Sequence, residues 1–403
     1  MKACGLIVEY NPFHNGHLYH LKEAREISGA ECMIAVMSGN FLQRGEPAIM
    51  DKHYRAKAAL IAGADLVLEL PYPFAVQSSD LFAKGAVFTL AQIGASTLCF
   101  GSESGNINDF ISSYHNFRKN EREYQQSLKD HLQQGLSFPE ASRHAYQTIG
   151  LTGQSMDLTK PNNILGFSYV KTIFENGLKI TPLTIKRTNN HYHDQAITGA
   201  ISSATSIRKV ILEAGRITEE VAEALPKVSL AQLEAYRKAA STWHHWEKYF
   251  NLLHYKVMTM NTEQIADIQG VDEGLEYRIK KTAKQAESMH EWMHAIKTKR
   301  YTWTRLQRMF THLLTNTTKG EMEEIPSLAP LPYIRLLGMS QTGQRYIHQV
   351  KKQLETPLIT KIKRNGDPLL AMEERAAQAY YSILPPAQRR KFHQQELEPP
   401  LRI

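Results

Sequence analysis

The sequence predicts an α/β protein in which a doubly wound parallel sheet is followed by a mainly α-helical C-terminal domain. Two observations support this fold class. Over the first hundred residues, short apolar runs alternate with segments whose apolar residues recur every three or four positions. Beyond about residue 202, the pattern is helical and stays helical. Strand–helix–strand repetition with short turns is typical of a right-handed, doubly wound sheet.

The elements of the first half follow in order along the chain. The strand candidates are apolar on both faces, as buried parallel strands are: ACGLIVEY (3–10), CMIAVMSG (32–39), DLVLELP (65–71) and STLCFGSE (96–103). The segments between them have helical spacing and a glycine near their end: 18–29, 51–64 and 78–95. A fifth strand candidate, LKITPLTIKR (178–187), follows a helical insertion.

This order of elements also predicts where a ligand binds and how the chain is divided. Ligands of doubly wound sheets bind beyond the carboxyl ends of the strands. We expect a catalytic domain over residues 1–215, with a helical insertion at about 105–176, and a helical region over 216–403. The strand ends that should form the site are 10–17, 38–44, 101–103 and 186–194.

The charge of the chain is concentrated in its second part. The net charge is +8, yet residues 1–250 hold 25 lysines and arginines against 24 acids, and residues 251–403 hold 23 against 16. Such asymmetry suggests a polyanionic partner for the C-terminal part, and nucleic acid is the leading candidate. A basic but otherwise ordinary helical surface is the alternative.

The cysteines and the hydropathy pattern suggest a cytoplasmic protein. Cys4, Cys32 and Cys99 are scattered and lack CxxC spacing, so neither a disulfide framework nor a zinc site is expected. No apolar run approaches the roughly 20 residues that cross a bilayer, and the start of the chain does not resemble a signal peptide. We therefore expect no membrane partner; the oligomeric state is left open.

The segment NPFHNGH, residues 11–17, is the most informative motif. His14 is expected in the loop that leaves the first strand and His17 in the first turn of the next helix, with Gly16 allowing close approach to a ligand. A helix N-terminus offers unpaired amides to a phosphate, and two imidazoles can donate hydrogen bonds to a phosphoryl group as its charge develops. HxGH alone is a weak signal, but at this junction it predicts attack on the α-phosphate of a nucleotide, with pyrophosphate leaving.

Together with a second motif, HxGH resembles the HxGH nucleotidyltransferase superfamily, whose sheet is Rossmann-like and which includes pantetheine-phosphate and nicotinamide-nucleotide adenylyltransferases. The second motif is AISSATSIRK (200–209), in which Ser203, Thr205 and Arg208 are in register and Ala204 replaces the usual hydroxyl residue. The resemblance implies that Arg208 and the amides of the following helix bind the β- and γ-phosphates. An ordinary capped helix is the alternative.

A longer series of segments narrows the resemblance. In order along the chain, the segments are GLIVEYNPFHNGHLYHL, MSGNFLQRGEPAIMDKHYRAKAAL, GADLVLELP, FGSESG, KPNNILGFSYVK, IKRTNNHYHD, EGLEYRIK and TKRYTWTRLQR. Together they resemble one family in particular, the bacterial tRNA(Met) cytidine acetate ligases. That family implies a two-step reaction, in which acetate and ATP give acetyl-adenylate and the acetyl group then passes to the wobble cytidine of elongator tRNA(Met). Magnesium would be expected with the ATP.

The resemblance also implies a set of site residues. Those implied to be catalytic are His14, His17 and Arg208. Those implied to bind ATP are Ile7, Val8, Glu9, Tyr10, Asn11, Pro12, Phe13, His14, Asn15, Gly16, His17, Leu18, Tyr19, His20, Gly101, Asn162, Arg187, Ser203, Thr205 and Arg208. Asn162 and Asn163 could exchange roles, and Asn162 could instead cap a helix.

Three further basic or histidine-containing segments allow more than one interpretation. Arg44 is expected to face the site, whereas Lys52 and Arg55 either face it or lie on the exposed side of the next helix. The HYHD segment (191–194) is tempting as a metal site, but alternating histidines more often lie in a polar loop, and we predict no metal site.

The cations of KTKRYTWTRLQR (297–308) are the predicted tRNA contacts: Lys297, Lys299, Arg300, Arg305 and Arg308. Tyr301 and Trp303 lie between them and could stack on bases, or could belong to the helical core.

Two other functions remain open at this point. A small-molecule adenylyltransferase of the same superfamily would need only the α/β domain, so the long basic helical part argues against it. An RNA-binding protein with a degenerate nucleotide site is the other alternative, and the intact His14, His17 and Arg208 argue against that.

Overall fold

The computed structural model describes residues 1–153, 156–187, 203–272, 274–362 and 367–403. Within them, the strands form one sheet in the order β5-β4-β1-β2-β3-β6-β7, with β8 also paired to β6. The first five strands are parallel, and β6 is antiparallel to β3. The strands are β1 (Ala3–Val8), β2 (Cys32–Ser38), β3 (Leu66–Leu70), β4 (Thr97–Ser102), β5 (Thr181–Lys186), β6 (Ile334–Met339), β7 (Leu358–Ile359) and β8 (Leu401–Arg402).

Helices on both faces of the sheet complete the doubly wound part, so the predicted fold class is confirmed. Local sequence explains their ends: Asp51 caps α2 by accepting the Tyr54 amide at 2.9 Å, and α1 ends at Gly29, whose φ of +58° suits glycine. These helices are α1 (Asn15–Ser28), α2 (Lys52–Ile61), α3 (Tyr72–Ala75) and α4 (Ser79–Gln92).

The predicted insertion is a group of helices between β4 and β5. Its last helix packs against α4 and the sheet, where Gly166 makes room for the Phe100 ring: a Cβ there would lie 2.4 Å from that ring. The helices are α5 (Ile107–Lys119), α6 (Glu121–Gln133), α7 (Phe138–Thr148) and α8 (Pro161–Glu175).

The C-terminal part is mainly helical, as predicted, and residues 246–313 form an apolar core of their own around Trp292 and Phe310. The helices are α9 (Ala204–Ala214), α10 (Glu219–Glu223), α11 (Lys227–Ala240), α12 (Phe250–Thr259), α13 (Thr262–Ala266), α14 (Leu275–Ala283), α15 (Met289–Ile296), α16 (Trp303–Thr315), α17 (Lys319–Met322), α18 (Gln341–Val350), α19 (Pro368–Tyr381) and α20 (Pro386–Gln395). None of the helices in the described ranges is long and apolar enough to cross a membrane.

The sequence analysis did not predict the return of the chain to the sheet. Strand β6, IRLLGM, pairs along β3 from Leu66 opposite Met339 to Glu69 opposite Arg335. A strand within the region predicted to be mainly helical therefore extends the sheet of the first half. The division at residue 215 stays a prediction.

Candidate active site

The two histidines of the HxGH motif lie side by side at the start of α1. His14 caps the helix: its Nδ1 accepts the Gly16 amide at 3.0 Å, while His17 Nδ1 accepts the His14 amide at 3.2 Å. Their rings stack with centroids 3.7 Å apart and planes inclined by 26°. One phosphoryl group is small enough to contact both rings.

The hydrogen bonds and the burial fix the protonation of both rings. Because each Nδ1 accepts a backbone N–H, the proton of each neutral imidazole is on Nε2, which is left as a donor. Burial, reinforced by the charge of Arg187, lowers the pKa of His14 to about 4. The pKa of His17 is also well below its ordinary value, mainly because of burial and, to a smaller extent, because of the neighbouring His14 and Arg187. Both rings are therefore neutral hydrogen-bond donors at neutral pH.

Gly16 and Tyr10 shape this loop. A Cβ on Gly16 would lie 2.8 Å from His14 Cε1, so the glycine is required by the histidine ring that covers it. Tyr10 has a φ of +50° and is fully buried, with its ring edge-on to His17 at 5.0 Å and to Phe13 at 4.6 Å. The Tyr10 and Phe13 rings of the loop thus pack against the His17 ring and fix its position.

Arg208 reaches the same loop from the first turns of α9. Its Nη1 donates to the Asn11 carbonyl at 2.9 Å, and its Nη2 pairs with Glu46 Oε2 at 2.8 Å. Ser203 caps α9 through the Ser206 amide at 3.2 Å, so Ser203 and Thr205 lie exposed at the helix start. The amino ends of α1 and α9 therefore meet at the carboxyl end of β1, where both favour an anion.

Arg187 enters from the carboxyl end of β5. Its Nη1 donates to Asn162 Oδ1 at 3.0 Å, and a Cβ on Gly101 would lie 3.1 Å from Arg187 Cγ, so the arginine side chain lies across this glycine. Asn162 in turn donates its Nδ2 to Glu103 Oε1 at 2.7 Å. The residues predicted on four separate segments are thus brought together around His14.

The comparisons with known proteins fit this arrangement. A family model described as HIGH Nucleotidyl Transferase matches residues 1–396. The chain is 54% identical over 405 residues to the tRNA(Met) cytidine acetate ligase of Oceanobacillus iheyensis, covering 100% of both chains. It is 43% identical over 399 residues to the enzyme of that name from Bacillus subtilis, covering 98% of this chain and 96% of that one. The chain belongs to the tRNA(Met) cytidine acetate ligase family.

Two solved structures of this family match over the full length of both chains. Thermotoga maritima TmcAL bound with α-thio ATP matches with a TM-score of 0.89 and 34% identity, and the apo form of the same protein matches with 0.88 and 33%. The predicted family and fold class are confirmed. The role of each site residue stays a prediction.

The predicted ATP-binding range 7–20 has three structural parts in this member of the family. Ile7 and Val8 lie in β1, residues 9–14 form the loop, and Asn15 to His20 form the first turns of α1. Burial and, to a smaller extent, the charge of Arg187 lower the pKa of His20 to about 4, so this third imidazole is neutral as well.

Arg55 is a site residue whose position the sequence left open, and it is completely buried. Its guanidinium joins the segments that follow β1 and β2: Nε donates to Met50 O at 3.2 Å, Nη1 to Glu9 O at 2.6 Å and Ser38 O at 3.1 Å, and Nη2 to Gly39 O. The interpretation of Arg55 as an exposed helix residue is wrong. No feature of the sequence alone distinguishes Arg55 from an exposed arginine, because its acceptors are carbonyl groups of distant segments.

Lys52 belongs to a buried ionic cluster, so its interpretation as an exposed residue is also wrong. Its Nζ lies 2.7 Å from Glu69 Oε1 and 2.9 Å from Glu396 Oε2, and Arg335 pairs with Glu69 Oε2 and Glu396 Oε2 at 2.6 Å each. Glu373 lies beside them and accepts the amide that begins α3. The cluster joins β3 and α2 to the C-terminal segment.

The pKa values of Glu373 and Glu396 in this cluster are shifted in opposite directions. Burial, followed by the nearby Glu69 charge, raises the pKa of Glu373 well above its ordinary value. Burial also acts on Glu396, but Lys52 and Arg335 outweigh it and hold the pKa of Glu396 well below its usual range. The surroundings therefore favour the neutral form of Glu373 and the charged form of Glu396.

Glu103, which the sequence did not single out, is hydrogen-bonded to Asn163, the asparagine that could have exchanged roles with Asn162. Glu103 Oε2 accepts the Asn163 amide at 2.7 Å at the start of α8, and Asn163 Oδ1 accepts the amides of Glu103 and Ser104 at 3.0 and 3.1 Å. This exchange locks the carboxyl end of β4 to α8. Asn163 thus has a structural role, and Asn162 is the one of the two asparagines that contacts Arg187.

The predicted tRNA contacts lie on two different surfaces. Lys297, Lys299 and Arg300 are exposed in the turn between α15 and α16. Arg305 pairs with Asp272 at 2.8 Å, and Arg308 is turned toward the α/β part, where its Nε donates to Gln43 O at 2.7 Å.

The two aromatic residues of this segment differ in exposure. Tyr301 is buried and donates to Asp272 O at 3.0 Å, which is the core role left open above. Trp303 is partly exposed and lies 5.4 and 5.2 Å from the rings of His290 and His294, which are exposed on α15. Trp303 is therefore the ring that remains available for stacking on a base.

The side chains do not suggest a resident metal. In the ranges that the structure covers, no group of three or more histidine, cysteine, aspartate or glutamate side chains is arranged to hold an ion. His191, His193 and Asp194 of the HYHD segment lie outside the described residues.

Proposed function

We propose that this chain activates acetate with ATP as acetyl-adenylate and transfers the acetyl group to the exocyclic amine of the wobble cytidine in elongator tRNA(Met), forming N4-acetylcytidine. The observation that carries the proposal is the pair of neutral, stacked imidazoles at the start of α1, with Arg187 and Arg208 beside them. Membership of the tRNA(Met) cytidine acetate ligase family supports the choice of acetate and of this tRNA.

The first step requires alignment and charge neutralisation, and no general base. A carboxylic acid with a pKa near 4–5 is already ionised at neutral pH. One acetate oxygen attacks the α-phosphorus, and the bond from that phosphorus to the bridging oxygen of pyrophosphate breaks. In this proposal, the Nε2–H groups of His14 and His17 donate to the α-phosphoryl oxygens, where negative charge develops in the transition state. Arg208 and the amino end of α9 would bind the outer phosphates.

The second step releases AMP. The cytidine nitrogen attacks the acetyl carbon, the bond from that carbon to the phosphate oxygen breaks, and the nitrogen loses one proton. A covalent acyl-enzyme on cysteine is disfavoured, since burial raises the pKa of Cys4, Cys32 and Cys99 and keeps the thiols protonated. Buried thiols and a tRNA substrate also support a cytoplasmic location.

Magnesium would enter as part of the substrate. Among the described residues, three carboxylates of the site segments are already engaged: Glu46 with Arg208, Glu103 with the start of α8, and Glu9 with the Gln43 amide at 2.7 Å. Mg²⁺ commonly keeps several waters and binds substrate phosphates. We therefore propose MgATP as the substrate and assign no protein ligands to the ion.

The test is incubation of the protein with ATP, labelled acetate and total tRNA, followed by nucleoside analysis. We expect label in N4-acetylcytidine from elongator tRNA(Met) and one AMP released per acetyl group. Covalent AMP in a small-molecule product would indicate the adenylyltransferase alternative. Failure of acetate to promote pyrophosphate exchange into ATP would indicate an RNA-binding protein with a degenerate site.

A further inference from the structure

A short segment between β2 and α2 connects the proposed nucleotide site to the helix that follows the predicted tRNA contacts. We call residues 42–47 the bridging turn. It is closed by the Gly45 amide donating to Leu42 O at 2.8 Å and the Leu42 amide donating to Glu46 O at 2.9 Å. The turn is therefore a compact unit that carries its side chains as a group.

The bridging turn is fastened to α16. Arg308 Nε donates to Gln43 O at 2.7 Å, and Thr311 Oγ1 donates to Gly45 O at 2.6 Å. Gly45 has a φ of +84°, and a Cβ there would lie 2.4 Å from the Arg308 backbone nitrogen. The turn lies directly on the helix backbone, so a displacement of α16 moves the turn as well.

Glu46, on the other side of the bridging turn, binds Arg208, the arginine proposed to bind phosphate. Glu46 Oε2 pairs with Arg208 Nη2 at 2.8 Å, and Glu46 Oε1 accepts from Gln307 Nε2 of α16 at 3.3 Å. The other terminal nitrogen of Arg208 donates to Asn11 O. Each terminal nitrogen of the guanidinium therefore already uses one of its two N–H donors before any triphosphate binds.

We infer that Glu46 is a positioning residue that competes with the triphosphate for Arg208, and that α16, through Gln307, sets the strength of this competition. The inference rests on the proposed function, because it takes Arg208 as a phosphate ligand. A triphosphate must share Nη2 with the carboxylate or replace it, and it is also repelled by that charge. A tRNA seated on the exposed cations ahead of α16 displaces the helix and draws Glu46 away. ATP then binds more tightly when tRNA is present.

The test uses two variants and one control. Glu46→Gln removes the competing charge and keeps the shape, whereas Gln307→Leu removes the contact of α16 with the Glu46 carboxylate and keeps the Glu46–Arg208 pair. The control, Glu213→Gln, removes a charge from an exposed pair on the same helix as Arg208. The KM for ATP and kcat are measured by acetate-dependent pyrophosphate exchange, with and without elongator tRNA(Met).

For the wild type and the control, we expect tRNA to lower the KM for ATP about fivefold or more, the range of an ordinary coupling between sites. Glu46→Gln should show the low KM without tRNA, kcat within about twofold of the wild type, and no further effect of tRNA. Gln307→Leu should keep the high KM whether or not tRNA is present. An unchanged or raised KM in Glu46→Gln, or a full tRNA effect in both variants, would overturn the inference.

Equilibrium binding of α-thio ATP, with neither acetate nor tRNA, separates this inference from the proposed function. We expect Glu46→Gln to bind the analogue several-fold more tightly than the wild type. Equal affinity of the two proteins would remove only the role of Glu46. No binding to either protein would remove the proposed nucleotide site itself.

Discussion

Replacing His17 with alanine should abolish most adenylate formation and spare tRNA binding. The substitution removes one of two neutral imidazoles that stack 3.7 Å apart at the start of α1. Losing one donor aimed at a developing oxyanion typically costs about 2.7–4 kcal/mol of activation free energy, a factor of about 10²–10³ in kcat. The KM for ATP should change little, because helix amides and Arg208 remain to bind the phosphates.

The same substitution also removes a helix cap, so a second variant is needed. His17 Nδ1 accepts the His14 amide, and losing such a contact costs about 0.5–2 kcal/mol of stability. Gln at the third helical position can also accept that amide. His17→Gln should therefore recover the thermal midpoint lost in His17→Ala without recovering the rate. His348→Ala, which removes an exposed imidazole on α18, serves as the control.

Acetate-dependent pyrophosphate exchange and filter binding of tRNA are the two measurements, with exchange followed from pH 5 to pH 8. Since burial lowers the pKa of His14 to about 4, kcat/KM should be flat between pH 6 and pH 8, with no acid limb at the ordinary histidine value. A rate within about tenfold of the wild type in His17→Ala, equal loss of rate and tRNA affinity, or an acid limb near pH 6.5 would each refute this reasoning.

Three further predictions concern the buried groups and the RNA surface. Arg55→Lys keeps the charge, but a lysine cannot contact carbonyl groups on three segments at once. Losing two hydrogen bonds at about 1.5–3 kcal/mol each should lower the unfolding free energy, measured in urea, by about 3–6 kcal/mol. A loss below about 1 kcal/mol would contradict this. Glu373→Gln should raise the urea midpoint at pH 8 and not at pH 4, because the raised pKa of Glu373 makes the native carboxyl increasingly destabilising as the pH rises. Glu396→Gln should lower the unfolding free energy by about 3–5 kcal/mol at pH 7, and by less in acid, where Glu396 of the wild type becomes protonated. Stability changes of the same sign in both variants would argue against the assigned protonation. Replacing Lys299 and Arg300 with alanine should reduce the slope of log affinity against log salt by about 2 in tRNA filter binding and leave pyrophosphate exchange unchanged; an unaltered slope would place the tRNA elsewhere.

The parallel half of the sheet and the meeting of the site segments could be predicted from sequence because they depend on local patterns. Two-sided apolar runs are typical of buried parallel strands, and their carboxyl ends must share one edge. His14, His17 and Arg208 follow from this rule together with two motifs. Even the requirement for Gly16 could be predicted, although the group that needs the space is the His14 ring.

What could not be predicted depends on contacts between distant segments. IRLLGM is a six-residue segment among helices, apolar except for Arg335, and periodicity alone does not distinguish a short buried strand from a helical segment. Lys52 and Arg55 look like exposed helix residues until Glu396 and the carbonyls of Glu9 and Ser38 are placed around them. Burial of a charge is decided by its partners, and a single sequence does not show which residues those are.

The antiparallel strand β6 has a consequence for synthesis on the ribosome. Lys52 and Glu69 are made early, yet their partners Arg335 and Glu396 emerge roughly three hundred residues later. Until then the nascent α/β half has an open sheet edge at β3, and the Lys52–Glu69 pair lacks the two groups that complete its cluster. An open edge favours aggregation, and residues 1–215 expressed alone would keep it because strand β6 is missing.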